Sequence, residues 1–264
     1  MAHYPLMGCS HDEPYDMKTI TLLLADDHAI VREGLRRLLE TDGSIRVVGE
    51  AADGRQAVLE SIRLKPEVVL LDLAMPLLNG IQAGRQIARE APDTKVLILS
   101  SYSDGLHFRQ AVEAGAAGYV MKETAGDTLL DAIRAAAEGR PFFSPPMLKH
   151  LVKPRETNPA DDGSATIRPA KLSRRQAEVL QLIAEGHGTK QIAALLSISV
   201  KTTERHRQTL MEKLKLHKVP DLTRYAVSSG VIDSGRIPGW PASSAQAPRK
   251  RQTNPSRRRE SCTA

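Results

Sequence analysis

Residues Glu67–Pro76 read E-V-V-L-L-D-L-A-M-P, an apolar run of Val68 to Leu71 and then Leu73 around one carboxylate, Asp72. A continuous apolar run of this length suits a strand buried on both faces, as in a parallel sheet covered by helices. An ionised Asp at the end of such a strand is costly unless something pairs with it. Standing alone, Asp72 would read as a cap for the following turn.

It does not stand alone. Thr19–Ala25 is a second apolar run, and it ends in two adjacent carboxylates, Asp26 and Asp27. In a doubly wound parallel sheet of order 2-1-3-4-5, strands one and three are neighbours and the ligand crevice lies beyond their carboxyl ends. Three carboxylates then meet, and their repulsion calls for a cation. Hard oxygen ligands, and few of them, favour Mg²⁺ with waters retained. A carboxylate beside Mg²⁺ can act as a nucleophile towards phosphorus. Two more strands end in suitable groups: Lys95–Leu99 is followed by Ser100, and Gly118–Met121 by Lys122. A hydroxyl and an ammonium serve phosphoryl transfer by stabilising charge on the equatorial oxygens. Alone, Ser100 reads as a strand-end turn residue and Lys122 as a solvated one; the four strand ends taken together read as one phosphoryl site.

Over about Met17–Gly139 the sequence resembles the receiver domain of two-component response regulators. The matching residues are Asp26-Asp27-His28, Asp72 with Met75-Pro76, Ser100, Tyr119 and Lys122. The resemblance implies that Asp72 accepts phosphate from a sensor histidine kinase. Asp26, Asp27, Asp72 and the backbone carbonyl of Ala74 would hold Mg²⁺, and Lys122 would contact the phosphoryl group. Ser100 and Tyr119 would form a switch pair, with Ser100 drawn in and Tyr119 rotating on phosphorylation. Two residues depart from the family pattern: Glu123 stands where many receivers have proline, and Ala74 where many carry a larger or polar side chain.

The rest of the chain divides by composition. Residues 1–17 form a polar leader, 18–139 the five-stranded receiver, 140–170 a Pro-rich linker with Asp161-Asp162-Gly163-Ser164, and 234–264 a basic Ser/Pro-rich tail. A short helix fits within the linker at 146–152. Lys18–Gly139 carries 14 Lys/Arg against 18 Asp/Glu, whereas Lys171–Ala264 carries 18 against 7. An acidic front and a basic back suit metal or phosphate chemistry joined to a nucleic-acid binder. No apolar stretch approaches the roughly 20 residues that span a bilayer. The N-terminus has no secretory pattern, and Cys9 and Cys262 make no disulfide framework. These features imply a cytoplasmic protein without membrane partners.

Residues 171–233 read as four helices. Ser173 is an N-cap candidate ahead of an apolar stretch that stops at Gly186. Thr189–Leu196 and Val200–Leu214 flank the tight turn Ser197-Ile198-Ser199, and Pro220–Ile232 is a last amphipathic segment. Two helices joined by a tight turn, the second basic, form a helix-turn-helix signature. L-S-R-R-Q-A-E-V-L-Q-L-I-A-E-G, K-Q-I-A-A-L-L-S-I-S and K-T-T-E-R-H-R-Q-T-L-M-E-K-L resemble the NarL/FixJ (LuxR-type) DNA-binding domain over Leu172 to about Ile232. Gln176 replaces a usual Glu, predicting a lost internal ion pair. Thr203 replaces a core Val, and its buried hydroxyl needs a partner.

On the recognition helix Lys201, Glu204, Arg205 and Gln208 share a face. Arg, Gln and Glu can read base edges in the major groove of double-stranded DNA. Lys190, Lys201, His206 and Arg207 suit backbone phosphates. The resemblance also implies a homodimer on phosphorylation or on DNA, contact through the last helix, and RNA polymerase as a further partner. Together these features describe a phosphorylation-controlled transcription regulator whose only chemistry is at Asp72. An Asp-nucleophile phosphohydrolase of the haloacid-dehalogenase type needs an acid/base Asp where Ala74 stands. A dinucleotide enzyme lacks its glycine fingerprint. A receiver used only for dimerisation would not need Asp26, Asp27, Asp72, Ser100 and Lys122 together.

Overall fold

The computed structural model describes residues 19–124, 126–152 (backbone alone at 151 and 152), 172–233 and 237. The leader, most of the linker and the basic tail, with Cys9 and Cys262, lie outside the described residues. Strands β1 (Ile20–Ala25), β2 (Ile45–Ala51), β3 (Val68–Asp72), β4 (Lys95–Ser100) and β5 (Gly118–Met121) are joined by a sixth, β6 (Phe142–Phe143). All pair in parallel in the order β2-β1-β3-β4-β5-β6. The order expected for five strands is present, with β6 added at the edge beside β5.

Alternate residues of the central strands point to opposite faces and build two cores. Leu23, Val69, Leu71, Ile98 and Tyr119 face one side; Leu22, Leu24, Leu70, Leu97 and Val120 face the other. Helices α1 (Ala29–Thr41), α2 (Gly54–Leu64), α3 (Gly80–Glu90), α4 (Gly105–Glu113) and α5 (Gly126–Ala137) cover them. Asp53, Asn79 and Asp104 cap α2, α3 and α4 by accepting from backbone amides that the first helical turn leaves unpaired. A side chain at Gly80 would meet the Asp72 carbonyl at 2.2 Å, so glycine lets α3 start directly against the strand end that carries Asp72.

Residues 140–152 correct the expected linker. β6 pairs with β5, and Ser144 ties the edge further: its amide donates to the Tyr119 carbonyl and its hydroxyl accepts from the Met121 amide. Helix α6 (Pro145–Val152) follows and buries Met147 in the receiver core. Its two prolines sit in the first turn, where no intrahelical amide bond is lost.

The second domain comprises α7 (Arg174–Ala184), α8 (Thr189–Leu195), α9 (Val200–Leu214) and α10 (Val219–Ser228) around Val179, Leu182, Ile192, Leu210, Leu222 and Tyr225. Gln176 takes up the role left by the missing Glu through a neutral capping box with Ser173, and its Oε1 also lies 3.4 Å from Lys213 Nζ. The buried Thr203 hydroxyl donates to the Ser199 carbonyl at 3.2 Å, so the Val-to-Thr departure leaves no orphan. Among the described residues no helix is long and apolar enough to cross a membrane.

Candidate phosphoryl site and nucleic-acid face

Sheet register brings the acidic residues together. Ala25 lies opposite Leu71, and Asp72 opposite Leu99, so β1, β3 and β4 leave the sheet at one level. Asp26 is fully buried and Asp72 is 3% exposed. Lys122 Nζ sits between them, 2.8 Å from Asp26 Oδ2 and 3.0 Å from Asp72 Oδ1. Its backbone is fixed as well, the Lys122 amide donating to the Ser100 carbonyl at 2.8 Å. Burial pushes the Asp72 carboxyl above its ordinary value, and Lys122 and the Ala74 amide only partly offset this. Burial works against the Lys122 ammonium, but Asp72 and Asp26 outweigh it and hold the ammonium above its usual range. The geometry sets an acidic and a basic group, each costly to bury as a charge, at hydrogen-bond distance from one another.

Ligand atoms of Asp26, Asp27, His28 and Asp72 all lie within 4.8 Å of one another. Three clustered carboxylates with a single ammonium among them fit a divalent hard cation. His28, which follows the acidic pair, turns its ring onto the cluster with Nδ1 3.0 Å from Asp27 Oδ1, and its side chain gives α1 no cap. Arg32 was not singled out in the sequence; its guanidinium donates to the Asp26 carbonyl at 2.7 Å and to Glu50 at 3.2 Å. The signal for it was only the four-residue spacing from His28.

Ser100 Oγ accepts from the Tyr102 amide at 2.9 Å and lies 2.8 Å from the Tyr119 hydroxyl. That hydroxyl is also 2.8 Å from the Tyr102 carbonyl. Tyr119 is wholly buried, its ring edge-on to Phe108 at 5.6 Å. Burial raises its phenol further from ionisation, so it acts only as a neutral hydroxyl. The ring is turned in, and its hydroxyl is bonded to Ser100.

The second domain presents a different surface. Lys190, Lys201, Glu204, Arg205 and Gln208 are exposed, and His206 and Arg207 half-buried. Gln208 reaches back to Glu212 at 3.0 Å. Glu204, Arg207 and Gln208 line a shallow cleft with Thr189, Met211 and His217. Lys201 and Arg205 project from the same helix outside that lining.

Residues 22–134 match the response regulator receiver domain, and residues 170–226 match the bacterial regulatory proteins of the luxR family. The chain is similar to the oxygen regulatory protein NreC of Staphylococcus carnosus, 37% identical over 214 residues that span 80% of this chain and 99% of that protein. NreC of Staphylococcus aureus is 38% identical over the same length and shares. Among solved structures, the RcsB response regulator of Salmonella typhimurium is 28% identical, with 79% of this chain and 98% of that chain covered and a TM-score of 0.49. The chain belongs to the DNA-binding response regulators of two-component systems, which join a receiver domain to a LuxR-type helix-turn-helix domain.

Proposed function

We propose that Asp72 accepts a phosphoryl group from a sensor histidine kinase and that this charging governs DNA binding through α9. The observation that carries the reading is Lys122 Nζ set between the buried carboxylates of Asp26 and Asp72 at adjacent strand ends. One Asp72 oxygen bonds to phosphorus as the donor's P–N bond breaks and the electron pair returns to the kinase imidazole. Lys122 stabilises the equatorial oxygens, and the Ala74 amide orients the carboxylate. Ser100 can donate to one of those oxygens once it gives up its contact with Tyr119. Asp26, Asp27, Asp72 and the Ala74 carbonyl would hold Mg²⁺, which supplies neutralisation of the crowded negative charge.

On the DNA side, Arg205, Glu204 and Gln208 read base edges, while Lys190, Lys201, His206 and Arg207 engage phosphates. A homodimer, joined through α10, reads two half-sites and engages RNA polymerase. The test is incubation with Mg²⁺ and acetyl phosphate. Wild-type protein gains one acid-stable, base-labile phosphoryl group and binds its selected DNA more tightly; Asp72→Asn gains none. Equal labelling of that variant would remove Asp72 from the role.

A further inference from the structure

The loop between β3 and α3 leaves Asp72 and returns at Gly80, and its two ends are tied to the receiver itself. The Leu73 amide donates to the Leu99 carbonyl, and the Gly80 amide to the Leu73 carbonyl. Its middle is tied to the other domain. Gln181, on α7 and 1% exposed, accepts from the Asn79 amide at 2.9 Å and donates to the Met75 carbonyl at 3.1 Å. Glu185, one turn further on, accepts from the Leu77 amide at 3.2 Å and from Gln181 Nε2 at 2.8 Å. Asn79 Nδ2 donates to the Val231 carbonyl at 2.8 Å. Three backbone groups of this seven-residue loop therefore find their partners in the DNA-binding domain, and backbone groups cannot be buried unpaired.

Leu77 carries a second sign of this dependence. Its φ is +64°, a left-handed conformation that a branched residue adopts only under constraint, and its side chain packs against the second domain's core. Within the receiver a tight turn spans the residue, the Leu78 amide donating to the Pro76 carbonyl at 2.7 Å. Docking adds to that hold, through the Leu77 amide on Glu185 and the Leu77 side chain on the second core.

We infer that Gln181 and Glu185 of the DNA-binding domain are positioning residues for the receiver's phosphoryl site. Through Met75, Leu77 and Asn79 they hold the loop that contains Ala74, the carbonyl assigned to the metal. This deepens the reading under Proposed function and rests on it for its sign. If charging Asp72 frees the second domain, the docked domain must by reciprocity oppose charging. The held loop is then the form that the metal- and phosphoryl-bound site abandons. Asp233 and Ile232 line a small cavity of about 110 Å³ shared with Leu73 and Ala74, so the same docking also narrows the rim of the site.

The test uses the full-length protein without a phosphodonor. Backbone hydrogen exchange at Leu77 and Asn79 and Mg²⁺ affinity by calorimetry are measured for wild type, Gln181→Ala, Glu185→Ala and Glu185→Gln. Both alanine variants should exchange faster at these amides and bind Mg²⁺ about three- to tenfold more tightly, the range set by losing one or two hydrogen bonds. Glu185→Gln, which keeps an acceptor oxygen, should stay near wild type. Unchanged exchange would mean that the loop is not held by these side chains, and faster exchange with unchanged or weaker Mg²⁺ binding would mean that the hold does not oppose the site; either overturns the inference. Labelling by acetyl phosphate is run in parallel. Its absence from wild type would overturn the phosphoacceptor reading, while the exchange and Mg²⁺ results still decide whether the clamp exists.

Discussion

The receiver's acidic crevice and the outer face of α9 carry the same kinds of side chain under opposite conditions. In the crevice Asp26 and Asp72 are nearly inaccessible, and each is partnered by Lys122. On α9, Lys201, Glu204 and Arg205 are exposed, and their side chains form no hydrogen bond or ion pair with a described residue. Burial makes a charge expensive unless its partner is present, so the fold itself demands the crevice's residues as a set. Exposure makes the α9 charges nearly neutral to stability, so they are released to serve a partner. A site whose members need one another should respond to substitution as a unit, and a face whose members do not should respond residue by residue.

The largest effect should come from Lys122→Ala. It leaves two buried carboxylates facing each other and removes the charge opposite the phosphoryl oxygens. Labelling by acetyl phosphate should slow on the order of 100-fold, with DNA affinity of the unphosphorylated protein unchanged. A mild effect would place Lys122 with the exposed, dispensable charges. Next in size is Arg205→Ala, expected to cost about 1–3 kcal/mol on the preferred site and to relax preference at one base pair per half-site. Lys201→Ala should instead weaken all sequences alike. Gel-shift titrations against single-base operator variants separate the two; uniform weakening by Arg205→Ala would make it a phosphate contact and leave Glu204 and Gln208 as readers.

A smaller effect is expected at Asp104, a half-exposed acid that is nonetheless structurally engaged. It caps α4 and pairs with His107 Nδ1 at 2.6 Å, and its carboxyl titrates at about 2 because the His107 bonds outweigh burial. A folded-state value below the ordinary one means stability that is complete above about pH 4 and lost as pH falls towards 2. Asp104→Ala should therefore cost about 1 kcal/mol at pH 7, with the gap to wild type narrowing across that window in denaturant titrations. A gap that persists unchanged to pH 2 would show that the carboxylate's charge plays no part. The smallest effect is assigned to Thr203→Val. The Ser199 carbonyl already accepts from the Thr203 amide, so losing the hydroxyl orphans nothing and should shift stability by less than about 0.5 kcal/mol. A larger loss would mean that the hydroxyl is needed after all.

The same contrast explains what could be read from the sequence. Asp26, Asp72, Ser100 and Lys122 were legible because each ends an apolar strand, and strand order then forces them together. A helix start was legible where a capping residue marks it, as at Ser173. β6 was not, because Pro141, Pro145 and Pro146 read as linker punctuation, and the short helix expected at 146–152 is present as α6 but belongs to the receiver. The usable signals were Phe142-Phe143, two large apolar residues between prolines, and prolines suited to a helix start. The roles of Gln181 and Glu185 left no periodic trace, since contacts between domains obey neither strand nor helix spacing. The α9 face was identified through resemblance and helix geometry, not through any demand of the fold.

Extension of the receiver through α6 changes the mechanics of the tether. Only residues 153–171 separate the two described domains, and 19 residues cannot span more than about 65 Å even when fully extended. A domain confined within that radius of its docking face is present at an effective concentration of about 1 mM. Weak contacts suffice to hold it there, because the competing state is never truly dilute. A modest bias at Asp72 would then be enough to tip the balance, and release would mean exchange within a small volume.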